Sequence, residues 1–151
     1  MSKGAQKSNG IRLTAVDTED LEVLSARVQD AVGRLKDFVW LPKQRRFVAA
    51  LNRFRWEESK AAGTRVRAAL RFDGVSKVQS SHVKQGAPDA VVSLLAIRFT
   101  PGGEDDPAGV IELMLAGGGA IRLAVEAIDV ELADLTGPWA AVARPDHEGE
   151  A

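Results

Sequence analysis

One stretch of the 151-residue chain carries chemistry by its composition. Between Lys43 and Arg71 lie Lys43, Arg45, Arg46, Arg53, Arg55, Lys60, Arg65, Arg67 and Arg71, opposed within the run only by Glu57 and Glu58. Trp40, Phe47, Phe54, Trp56 and Phe72 lie in it or beside it. Arginine outnumbers lysine, and a guanidinium makes paired hydrogen bonds to phosphate or carboxylate and stacks on rings. Basic strands with interleaved aromatics are how sheet modules hold single-stranded nucleic acid. Arg53, Arg55, Arg65, Arg67, Arg71 and Trp56 are therefore the candidate residues for binding an anion or a partner. The competing reading is structural: Phe47, Phe54 and Phe72 have the spacing of core residues, and acidic strands elsewhere in the chain can neutralise the arginines.

Other chemistry is thin. His82 follows Ser80 and Ser81, but neighbours on a strand point to opposite faces, so Ser81 cannot meet it. Ser80 shares its face, yet no third group orients the imidazole as a nucleophile–base pair requires. The second histidine, His147, lies in a polar C-terminal tail. Gly117-Gly118-Gly119 precedes an alternating, β-prone segment, whereas a phosphate loop leads into a helix N-terminus, so it reads as a hairpin turn. Glu104, Asp105 and Asp106 lack the alternating ligands of a calcium loop. Asp129, Glu131 and Asp134 read as a solvated strand face. No catalytic set, metal site or cofactor site is assigned.

Composition narrows the class. Apolar residues make up 45% and charged residues 27%, the balance of a folded domain. There are no cysteines, which excludes disulfides, thiolate metal sites and a thiol nucleophile. No apolar run is long enough to span a membrane, and the N-terminus has no secretory pattern, so a cytoplasmic location is expected. The net charge of −1 hides an asymmetry: residues 34–85 hold 13 Lys/Arg against 4 Asp/Glu, and residues 101–151 hold 2 against 11. Such halves can face a charged partner or each other.

The elements that must position these residues follow from periodicity. Residues 1–10 and 144–151 are polar and expected to be disordered tails around one domain, residues 11–143. Ile11–Val16 alternates as a strand. Asp17 or Thr18 caps a helix with Glu19, Asp20 and Glu22 in its first turn, and Leu21, Leu24, Val28 and Val32 make one apolar stripe that Gly33 stops. The period then becomes two. Strands are expected over Phe38–Leu41, Phe47–Trp56, Arg65–Phe72, Val75–Val83, Val91–Phe99, Val110–Leu115, Ala120–Val125 and Ile128–Leu132. Asp73-Gly74 reads as a hairpin turn, Glu126-Ala127 as a bulge or bend, and Val91–Phe99 as a central strand covered on both faces. Trp139–Val142 is expected to dock back on the core. The fold class is α+β: a mostly antiparallel bent sheet, half-barrel or sandwich with one N-terminal helix packed on it.

The stretch Trp40-Leu-Pro-Lys-Gln-Arg-Arg-Phe47, continuing into Leu51-Asn-Arg-Phe-Arg-Trp-Glu57, resembles the signature of a small bacterial family catalogued as domain of unknown function 2948. Thr14–Ala31 and Ala120–Leu135 fit it too, and extra polar residues at both ends are the departure. The resemblance implies no activity, cofactor or catalytic residue.

Three functions compete on these grounds. By elimination the leading one is a non-enzymatic module binding a ligand or a protein, the protein being a separate partner or a second copy in a homodimer. The alternative is RNA or another polyanion on the arginine strands, against which the sequence pI of about 6.1 counts. The third is an enzyme with a dispersed carboxylate or arginine site.

Overall fold

The computed structural model describes residues 10–55, 64–83 and 87–135. In chain order these form β1 (Arg12–Ala15), α1 (Thr18–Arg27), β2 (Ala31–Arg34), β3 (Phe38–Leu41), β4 (Arg46–Phe54), β5 (Arg65–Asp73), β6 (Val75–Ser81), β7 (Val91–Pro101), β8 (Gly109–Leu115), β9 (Ala120–Val125) and β10 (Val130–Asp134). Every ladder is antiparallel, and the strands follow one another in the order β1-β10-β5-β4-β2-β7-β8-β9-β6, with β3 pairing β4 off that path. The expected α+β class holds: among the described residues the chain is mostly antiparallel sheet with one α-helix against it, and the sheet does not close. The tails, the Trp139–Val142 segment, Trp56 and His147 lie outside the described residues.

The helix starts as expected. The Asp17 carboxylate accepts from the Asp20 amide at 2.8 Å, and Glu19 and Asp20 sit against the positive end of the helix. It ends at Arg27, five residues short of the expected stripe. Asp30 turns through a positive φ of 65° and its amide donates to the Leu94 carbonyl, after which Ala31–Arg34 pairs with Val91–Leu94 as β2. Val32 is thus a strand residue. Pairing with β7 satisfies backbone groups that another helical turn would leave facing the sheet. Gly33 has a different reason to be glycine than stopping a helix: a Cβ there would lie 2.8 Å from the Ala50 carbonyl oxygen and 2.9 Å from Leu51 Cδ2. Only a residue without a side chain lets β2 approach β4 that closely.

Asp73-Gly74 is not a hairpin turn. β5 and β6 do not pair; the chain bends once at Gly74 (φ 72°) and runs on. A second bend at residues 126–129 carries β9 into β10 alongside it, the Asp73 amide donating to the Asp129 carbonyl and the Glu126 amide to the Gly74 carbonyl. β5–β6 and β9–β10 therefore make one two-stranded ribbon folded at a corner, which places the first half of the sheet against the second. The Asp-Gly pair signals a positive φ correctly, but no loop closes there because each flanking strand finds a different partner. The expected hairpin at Gly117–Gly119 does form, with the Leu115 amide bonded to the Gly119 carbonyl.

The core lies inside the fold of the sheet. Leu21, Leu24 and Val28 from the helix side join Phe47, Leu51, Leu70, Phe72, Leu94, Ile111, Leu123 and Leu132 in one apolar cluster. β7 is less enclosed than its sequence suggests, since Val91 and Leu95 are exposed. A bulge between Leu94 and Ala96 turns Leu95 outward. The helix then covers the edge of β7 beyond β2, with Ser25 Oγ accepting from the Ile97 amide at 2.9 Å. Leu24 is almost fully buried, so Leu24→Ala should cost about 2–5 kcal/mol in urea unfolding. Near-wild-type stability would mean that the helix does not pack as described.

Candidate functional site

Alternation along β4 decides where its arginines go. Phe47, Ala49, Leu51 and Arg53 point inward, while Arg46, Val48, Ala50, Asn52 and Phe54 point out. Arg53 is fully buried, and so is Asp134 at the end of β10. The guanidinium makes a two-pronged contact, Nε to Oδ1 and Nη2 to Oδ2, each 2.8 Å, while Nη1 donates to the Phe54 carbonyl at 2.9 Å. Asp134 Oδ2 also accepts from the Ile11 amide at 2.9 Å, and the Asp134 amide donates to the Ile11 carbonyl. Arg53 is thus withdrawn from any binding face. The signal was present in the sequence: Arg53 stands at i+2 from Leu51 on the apolar face of its own strand.

β5 presents Arg65, Arg67 and Arg71 outward, as its alternation predicts. They do not form a bare cationic row. Arg71 Nη1 contacts Glu131 on β10 and its Nε contacts Asp73, both at 2.9 Å. Asp73 in turn holds Arg46 on β4 at 2.7 Å, and Glu131 holds Arg12 on β1. The result is an alternating line, Arg12–Glu131–Arg71–Asp73–Arg46, across the outer face of four strands. Farther along, Arg67 reaches Asp37 at 3.3 Å and Arg65 lies over the Phe54 ring, 4.6 Å from its centre. Phe54 is therefore an outer-face aromatic, whereas Phe47 and Phe72 are core. The Arg55 amide donates to the Thr64 carbonyl, closing the base of the β4–β5 connection.

The other sequence candidates do not converge. Ser80 lines one recess and His82, beyond the end of β6 at a positive φ of 55°, lines another with Leu115 and Ala116. Glu104, Asp105 and Asp106 are exposed, and Asp106 Oδ1 caps the Ala108 amide. Among the described residues no three His, Asp or Glu side chains group so as to hold a metal ion. No helix of the described residues is long and apolar enough to cross a membrane.

A concave site arises where the sheet fails to close. Among the described residues β3 pairs only with β4, and β6 only with β9. They flank a cleft of about 540 Å³, walled by Leu35, Phe38, Trp40 and Phe47 on one side and by Val78, Gln79, Ser80, Val83 and Ile121 on the other. The Val75 amide donates to the Arg45 carbonyl at 2.9 Å, which shuts one end. Phe38 and Phe47 meet edge to face with ring centres 6.5 Å apart, so the aromatic wall is braced from behind. Its lining side chains are mostly apolar, yet polar groups make up nearly half of its surface, and apolar walls with polar groups among them are a usual form of a ligand site. Trp40 and Phe47 were singled out by sequence as neighbours of the basic run. The β6 wall was missed, because nothing local in Val75–Ser81 says that it faces β3 across a hollow.

Comparison with known proteins gives one match. The family model described as protein of unknown function (DUF2948) covers residues 11–147. No curated protein and no solved structure matches.

Arg53→Met should strand a buried carboxylate and cost about 3–5 kcal/mol, whereas Arg53→Met with Asp134→Leu should recover much of that loss. Urea unfolding of the two variants checks this. A single variant as stable as wild type would contradict the burial of the pair.

Proposed function

The chain belongs to the DUF2948 family, and because membership names no reaction, we propose from its geometry that it is a binding module, not an enzyme, whose site is the β3–β6 cleft. One observation carries the reading. The cleft is a hollow lined by Phe38, Trp40 and Phe47, set between β3 and β6, which do not pair with each other, and none of its lining residues is charged. Such a lining favours an apolar or aromatic group, with Gln79 and Ser80 as the polar contacts that orient it.

The arginine face supports the polyanion reading less well. Arg46, Arg53, Arg67 and Arg71 each have a carboxylate partner within the chain, and releasing one to a phosphate would cost that contact. The enzyme reading lacks a converging set, since Ser80 and His82 line separate recesses. A cytoplasmic binding protein fits what remains.

The test uses 8-anilinonaphthalene-1-sulfonate, a rigid aromatic probe, with Trp40 as the only tryptophan in a Trp56→Phe, Trp139→Phe background. Energy transfer from Trp40 should saturate, and Ser80→Phe, which fills the cleft from an exposed position, should weaken binding about tenfold, or ~1.4 kcal/mol, with little change in Tm. Transfer that is absent, or untouched by Ser80→Phe, would rule the cleft out.

A further inference from the structure

We propose that the outer face of β2, β4 and β5 holds a second binding site, a recess that takes a small organic monocarboxylate. It shares no lining residue with the β3–β6 cleft and stands or falls independently of it. Strand register assembles it. Asn52 on β4 lies between Val32 on β2 and Arg67 on β5. Directly opposed residues of antiparallel strands put their side chains on one face, about 5 Å apart. Arg34 is the next outward position along β2, and Val91 on β7 is its cross-strand neighbour. Val32 with Asn52 is the one ladder pair between β2 and β4 among the described residues. Past Arg34 the chain turns through the 3₁₀ segment Leu35–Asp37 before β3 resumes the pairing, Phe38 opposite Ala49. A hollow of about 270 Å³ lies at that changeover, with Asp37 at its rim.

The polar side chains of this recess carry unused donors. Among the described residues neither the Arg34 guanidinium nor the Asn52 side-chain amide has a hydrogen-bond or ion-pair partner. Arg67 spends one of its five N–H donors on Asp37, at 3.3 Å between partly exposed groups. By contrast, Arg12, Arg46 and Arg71 on the same outer face are held by Glu131 or Asp73. Guanidinium and amide donors that converge on one hollow suit a carboxylate, which accepts paired bonds from arginine. Charge sets the valence. Two arginines against one aspartate leave a single positive charge, which matches a monoanion. Asp37 repels a second negative charge, so a phosphate dianion is disfavoured. Val32 and Val91 supply apolar wall beside the donors, so the body that carries the carboxylate is apolar.

The experiment titrates the whole chain with isobutyrate and follows the side-chain N–H signals of Asn52 and Arg67 in ¹H–¹⁵N spectra. Both signals should shift saturably, whereas isobutyramide, of the same shape without the charge, should move neither. Arg34→Gln should weaken isobutyrate binding about tenfold, and Asn52→Leu, followed at Arg67, about fivefold, each losing donors to a charged group. The Tm of Arg34→Gln should match wild type, because the residue is exposed. At about pH 8 inorganic phosphate, then chiefly a dianion, should bind more weakly than isobutyrate. Ser80→Phe should leave isobutyrate binding unchanged. Signals that do not shift, that shift equally with isobutyramide, or whose shifts survive both recess substitutions overturn the proposal. Tighter binding of phosphate overturns the choice of carboxylate. Loss of isobutyrate binding in Ser80→Phe would place the anion in the cleft and remove this site, while failure of the naphthalene probe alone leaves it standing.

Discussion

Arg53 and Asp134 meet without water where the two ends of the described chain lie side by side. Burying two ions costs several kcal/mol each, and attraction recovers it only when the geometry is good and the remaining donors and acceptors are used. Here both prongs of the guanidinium are 2.8 Å from the carboxylate, and the carboxylate takes a further hydrogen bond from Ile11. The pair joins β4 to β10 across the intervening β5 and draws β1 onto the outside of β10. That fixes the register of the first half of the sheet. Because β10 and β5 continue through the corner as β9 and β6, the same register sets where β6 runs. The open cleft is a consequence of that placement.

Outside, the charge has a second use. Arg12, Glu131, Arg71, Asp73 and Arg46 alternate across four strands, so the excess of acid in the C-terminal half and of base in the middle is partly cancelled within the sheet. Exposed pairs of this kind contribute little each, about 0–1 kcal/mol. Their consequence is for function: they reduce the bare positive surface that a nucleic acid would need. Arg34 is left without a carboxylate, and it is a cation placed to influence a ligand.

The sequence made some of this legible and hid the rest for physical reasons. Period-two patterning located β4, β5, β8 and β9 closely, and the Asp17 cap located the helix start. The helix end was lost because Val32 suits an outward strand position as well as a helical stripe, and only pairing with β7 decides between them. Asp73-Gly74 misled because a positive φ is needed for a corner as much as for a hairpin. Arg53 was placed with the surface arginines by its type, although its spacing from Leu51 put it on the core side; an arginine there implies a buried carboxylate, and Asp134 lies 81 residues away. The cleft could not be read at all. It lies between β3 and β6, which are not paired with each other, and which strands come to face one another depends on the whole topology.

Much of the arginine charge is neutralised within the protein, with Arg53 buried against Asp134. Arginine Nε–H resonances in a ¹H–¹⁵N spectrum test it most directly. The Arg53 Nε–H should exchange with solvent orders of magnitude more slowly than that of Arg65, and keep its shift in about 1 M salt, where exposed pairs are screened. An Arg53 Nε–H that exchanges as fast as the exposed arginines, or moves with salt, would contradict it.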